Sequence, residues 1–152
     1  MTLAALIPPE HVFVAVRAAD KALLLQELAR RAGAALGVPA GEIAAALAAR
    51  EALGSTGVGA GIAVPHAQLP SLAGPAAFLA RLERPVDYLS VDGRPVDLVF
   101  LLLAPPAARA EHLAALAAGT RRLRDAATAA ALRAAATATA MHDRFVAEPA
   151  NS

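Results

Sequence analysis

With 152 residues the chain has room for one domain with a proper core and is too short to expect two. Its formal charge is +1 with acids and bases interspersed, and aromatics make up 3% of it, so neither the field nor the stacking surface of a nucleic-acid binder is present. Cysteine is absent, which excludes disulfides, thiol catalysis and Cys-based zinc sites, and the longest strongly apolar stretch, residues 96–103 with Asp97 inside it, falls far short of the ~20 residues of a bilayer span.

The opening MTLAALIPPEH has no basic leader and only a short apolar part, so a cytoplasmic protein without membrane insertion is expected. HVFVAV, residues 11–16, is β-branched and aromatic and reads as a strand. Asp20 can cap a helix that carries Leu24, Leu25, Leu28 and Ala32 at helical spacing and ends near Gly37 and Pro39. A second helix from about Gly41 turns Ile43 and Leu47 inward, holds Arg50 and Glu51 in its last turn and stops at Gly54. After a glycine loop, IAVPH is a short apolar strand that Pro65 terminates or places at an edge. Residues 76–82 alternate weakly as a strand, Asp92-Gly93 signals a turn, and residues 96–104, apolar but for Asp97, read as a strand covered on both faces. Pro105-Pro106 ends it. Leu113, Leu116, Thr120 and Leu123 recur at helical intervals, so a helix begins near Arg109 with His112 in its first turn, and a last helix follows Asp125. The expected fold is α/β: one domain over residues 1–152, core about 6–136, with a mixed, mostly buried sheet and helices on both faces.

The chemistry concentrates in GSTGVGAGIAVPHAQL, residues 54–69. A neutral imidazole is a good nucleophile for phosphorus, and His66 stands at the end of a loop whose glycines reach positive φ cheaply. Backbone N–H groups at Gly57 and Gly59, hydroxyls of Ser55 and Thr56, and the guanidinium of Arg50 together would suit a phosphate cradle. On residue types alone the same stretch also reads as a Gly-rich connector ending in a surface histidine. His112, at a helix start after a buried strand, is the second candidate, with an ordinary capping or surface role as its alternative. His11 and His142 read as surface residues, and Glu51, Asp87 and Asp92 as surface salt-bridging acids. Ser55, His66 and Asp92 could be drawn as a triad, a combination that chance supplies in most chains. No metal-ligand spacing occurs, and neither metal nor cofactor is expected.

REALGSTGVGAGIAVPHAQL, residues 50–69, resembles the signature of phosphotransferase-system enzyme IIA domains of the fructose, mannitol and nitrogen-regulatory class. LIPPEHVFVAVRAADKALLLQELA, PVDYLSVDGRPVDLVFLLLAP and EHLAALAAGTRRLRD are similar to that family's opening strand and helix, its central strands and the helix bearing its second histidine. The resemblance implies that His66 accepts a phosphoryl group on Nε2 from an HPr-like carrier. It further implies that Arg50, Ser55, Thr56, Gly57 and Gly59 support the phosphate and that His112 is the second active-site histidine. A free-standing domain is most similar to the nitrogen-regulatory type, whose protein partners include potassium-transport components and sensor kinases. The alternatives are a sugar-specific IIA that passes phosphate to a IIB domain, and a pure interaction module of the same fold. The last rests on Ala67 and Gln68, where the family commonly has Gly and Lys or Arg.

Overall fold

The computed structural model describes residues 2–147, which build a six-stranded mixed sheet with helices on both faces, the α/β architecture expected. In chain order the elements are α1 (Leu3–Leu6), β1 (Val12–Val16), α2 (Lys21–Leu36), α3 (Ala40–Glu51), β2 (Gly57–Gly59), β3 (Ile62–Ala63) and β4 (His66–Gln68). Then follow β5 (Ala76–Val86), β6 (Val96–Ala104), α4 (Arg109–Arg124), α5 (Ala126–Ala134) and α6 (Ala138–Val146). β5 and β6 form an antiparallel centre, with Phe78 opposite Leu101 and Ala80 opposite Val99. β1 joins β5 in parallel on one side. β3 and β4 lie one after the other along the opposite edge of β6, both parallel to it, and β2 folds back antiparallel on β3.

Residues 98–104 are apolar because both faces of β6 are covered, and Asp97, the one charged residue of the strand, is only partly buried and pairs with Arg133 at 2.9 Å. Val99, Leu101 and Leu103 enter a core shared with α2 and α3, while Leu98, Phe100 and Leu102 enter one shared with α4, α5 and α6. Each of these side chains, fully buried, stabilises the fold by roughly 1.5–3 kcal/mol. Gly119 lets α4 lie down on the sheet, since a Cβ there would stand 2.4 Å from the Phe100 ring. Asp20 caps α2 by accepting from the Leu23 N–H at 2.8 Å, and Gly37 closes it in the left-handed conformation.

Several expectations are corrected. The core continues beyond residue 136, because Met141 and Phe145 of α6 are fully buried. The final helix is two helices: Ala135 is extended, and the Thr137 hydroxyl recaps the chain on the Ala140 N–H. Of the residues whose spacing marked this helix, Leu123 is buried and Leu116 packs against the core, whereas Leu113 is 55% exposed; His112, Ala115 and Gly119 complete the inward face of α4. His11 is buried, stacked on Phe78 at 4.1 Å, with Nδ1 3.0 Å from the Ala77 carbonyl. His142 is half-buried and bonds the Ile7 carbonyl through Nε2 at 2.8 Å. Both imidazoles tie the amino-terminal segment to its neighbours, a long-range role that local sequence does not announce.

Candidate functional site

Ile62 to Gln68 runs along the edge of β6, and Pro65 interrupts it because proline has no N–H to give the ladder. The Val64 N–H turns away to the Thr56 carbonyl at 3.0 Å, and pairing resumes with His66 opposite Leu102. The Val64 carbonyl lies 2.8 Å from His66 Nδ1. A carbonyl only accepts, so Nδ1 carries the proton and Nε2 holds the lone pair. Arg50 Nε donates to Nε2 at 3.2 Å, and Arg50 Nη1 donates to the Gly54 carbonyl at 3.0 Å. Burial, with the Arg50 charge, holds the His66 pKa below the ordinary 6.5, against the Val64 hydrogen bond and the Glu51 charge. The ring is therefore neutral at neutral pH, with its nucleophilic nitrogen defined.

His66 and Gln68 face an open groove of about 540 Å³ between the carboxyl end of α3 and the amino end of α4. Arg50 and Arg109 supply its positive charge, and the exposed Leu53 and Leu113 supply apolar surface. Ala67 belongs to the core packed by α2 and α3, and its backbone is ordinary strand. His112 is 7% exposed in the first turn of α4, its ring edge-on to His66 with centroids 5.6 Å apart. Burial first, then His66 and Arg109, keep its pKa below the ordinary value. Its Nδ1 is buried with no hydrogen-bond partner among the described residues. The cheaper tautomer leaves the orphaned nitrogen unprotonated, with the N–H on Nε2.

The structure brings Arg50, His66 and His112 together and sets the other candidates behind them. Ser55 Oγ donates to the Tyr88 carbonyl at 3.0 Å and accepts the Gly57 N–H at 3.1 Å. Thr56 is buried, with its hydroxyl and N–H both on the Glu51 carboxylate. Gly57 and Gly59 form β2, and a Cβ at either would press on Ser90 or Asp92. Their smallness lets this hairpin approach the segment that follows β5. Neither imidazole nitrogen of His66 bonds Ser55 or Asp92, so the sequence-drawn triad does not form. No three His, Asp or Glu side chains converge as a metal site among the described residues.

Glu51 was expected at the surface, yet its side chain is 7% exposed. Asp87 and Asp92 do remain exposed, but they cap turns through backbone N–H groups and form no ion pair among the described residues. The signal for Glu51 lay in its position: residues 43, 47 and 51 fall on one helical stripe, and Ile43 and Leu47 are buried.

A mixed sheet with helices on both faces and a histidine groove at one end defines a phosphotransferase-system IIA fold. Residues 5–147 match the model described as "Phosphoenolpyruvate-dependent sugar phosphotransferase system, EIIA 2", and the chain belongs to that family. Within it, the chain is a homologue of nitrogen regulatory proteins. It is 44% identical over 152 residues to the nitrogen regulatory protein of Bradyrhizobium diazoefficiens, covering 100% of this chain and 99% of that one. The crystal structure of nitrogen regulatory protein IIA-Ntr from Neisseria meningitidis superposes with a TM-score of 0.88 at 26% identity, over 94% of this chain and 98% of that chain. The fold also matches mannitol IIA in its complex with phosphorylated mannitol IIB from Escherichia coli, with a TM-score of 0.76 at 18% identity over 91% and 96% of the two chains. No helix among the described residues is long and apolar enough to cross a membrane.

Proposed function

We propose that the protein is a phosphocarrier that accepts a phosphoryl group on Nε2 of His66 from an HPr-like protein and acts as a nitrogen-regulatory-type regulator. The observation that carries this reading is the Val64 carbonyl on Nδ1, which leaves the Nε2 lone pair to the groove beside Arg50 and His112. That lone pair forms the new N–P bond as the donor's N–P bond breaks and its electron pair returns to the donor nitrogen. The ring gains positive charge, and the Val64 carbonyl stabilises it through the retained Nδ1 proton. The Arg50 N–H that is hydrogen-bonded to Nε2 donates to a phosphoryl oxygen instead once the N–P bond forms, the proton staying on Arg50, and His112 Nε2–H adds a second donor. Ser55, Thr56, Gly57 and Gly59 act indirectly, by building the loop that holds Arg50.

Incubation with phosphoenolpyruvate, enzyme I and an HPr-type carrier, followed by intact-mass spectrometry, tests the reading. One acid-labile phosphoryl group is expected on the native protein and none on His66→Ala, whose fold should persist because His66 lies in the groove and outside both apolar cores. Phosphorylation of His66→Ala would refute the assignment. The regulatory role is supported by the 44% identity to a nitrogen regulatory protein, and its expected targets are potassium-transport components or sensor kinases. A sugar-specific role predicts instead rapid passage of the label to a IIB domain.

A further inference from the structure

Beside the groove, one residue along α3 from Arg50, lies a densely bonded buried carboxylate. Glu51 Oε2 accepts from the Thr56 N–H at 3.1 Å and pairs with Lys21 Nζ at 3.0 Å. Its Oε1 accepts from the Tyr88 hydroxyl at 2.8 Å and from the Thr56 hydroxyl. Lys21 Nζ also stands 4.4 Å over the Tyr88 ring and reaches Ser55 Oγ at 3.5 Å. Burial alone would raise the Glu51 pKa, but these hydrogen bonds outweigh it and keep the carboxyl ionised. Four separate segments meet on one side chain: the start of α2, the end of α3, the loop after it and the turn after β5.

Glu51 is consequently satisfied without Arg50, although the two are sequence neighbours. Arg50 has no carboxylate within ion-pair distance among the described residues, and its guanidinium goes to His66 Nε2 and the Gly54 carbonyl. Glu51 clasps Thr56 from one end of the loop while Arg50 clasps Gly54 inside it. We infer that Glu51, with Lys21 as its counter-charge, is a positioning residue of the phosphoryl site, locking the 51–56 loop so that Arg50 stays on Nε2. This rests on the phosphocarrier reading of His66. The carboxylate also serves by its occupation: an unclasped Glu51 would compete with the phosphoryl group for Arg50.

Rapid-quench phosphorylation of the full chain, with phosphorylated HPr-type carrier as the varied donor, tests the inference. Glu51→Gln is expected to lower kcat on the order of 10- to 100-fold by misplacing Arg50. KM for the carrier should be unchanged, because the Glu51 side chain is buried away from a docking protein. In an Arg50→Ala background the same substitution should cost less than about threefold, because the two act as one unit. Glu51→Gln leaves Lys21 without a counter-charge, so Lys21→Met/Glu51→Gln, which removes both charges, guards against simple unfolding; it should fold by circular dichroism and be equally slow. The Arg50 Nε–H resonance gives a reading independent of phosphoryl transfer, and should lose its hydrogen-exchange protection in Glu51→Gln. Undiminished cost in the Arg50→Ala background, native transfer by the double variant, or retained Arg50 protection overturns the inference. A native protein that takes no phosphoryl group from a competent carrier refutes the His66 reading instead.

Discussion

Replacing His112 by leucine separates what this side chain does for the site from what it costs the fold. Its Nδ1 is buried without a partner among the described residues, and such a group costs about 1–3 kcal/mol. The edge-on contact with His66, at 5.6 Å between centroids, returns about 0.5–1.5 kcal/mol of that. His112→Leu is of similar bulk and has no polar atom to desolvate, so it should stabilise the protein by about 0.5–2 kcal/mol, raising Tm by roughly 1–8 °C. The same change removes an N–H beside the incoming phosphoryl group. With Arg50 still present, acceptance from the carrier should slow roughly 10- to 100-fold without being abolished. Thermal melts near pH 7.5 and rapid-quench phosphorylation read the two effects separately. A lower Tm would show that His112 is a satisfied packing residue, and a native transfer rate would remove it from the site; either result refutes the reasoning.

Acid should weaken the fold in a defined direction. His66 and His112 are both held below the ordinary pKa of 6.5, in each case by burial first, so the unfolded chain binds more protons as pH falls below that value. Their contribution is complete above about pH 6.5 and is lost as pH drops through the folded values; melts across that range should show falling Tm, with a shallower slope in His112→Leu. Phosphoryl acceptance should stay level above that pH and decline below it, and a decline on the alkaline side near neutrality would contradict a neutral nucleophile. Ala67→Gly and Gln68→Lys should part company. The buried Ala67 methyl packs in the core, so Ala67→Gly should cost about 0.5–1 kcal/mol in chemical denaturation and leave transfer unchanged. Gln68→Lys adds a cation facing the groove and should tighten the phosphorylated carrier's KM, an effect that added salt diminishes.

The proximity of Arg50 and His66 was legible in the chain because it is local. His66 and Arg50 stand sixteen residues apart, and the helix, glycine loop and Pro-His run between them mark a deliberate approach to one imidazole. The positions of Ser55, Thr56, Gly57 and Gly59 suggested phosphate ligands for an equally local reason, namely that their residue types suit anions. Their partners turn out to come from residues 88–92 and from Glu51, contacts made across the fold. Glu51 was missed because an acid in the last turn of a helix is ordinarily solvated, and only Lys21 and Tyr88, 30 and 37 residues distant, make its burial tolerable.

Periodicity and composition alone determined the α/β class, the doubly covered strand at residues 96–104 and the placement of His112 in a first helical turn, because burial imposes those patterns residue by residue. Tertiary structure supplied the physical reason that the His66 proton sits on Nδ1 and the lone pair on Nε2, since the kink at Pro65 is registered against β6 and turns the Val64 carbonyl onto the ring. It also decided that His11 and Met141 belong to the interior and that His142 is half-buried against the Ile7 carbonyl, because their partners lie far away in sequence. A side chain's propensity is carried by its own residue, whereas the proton it holds and the charge it keeps are set by whatever the fold brings against it.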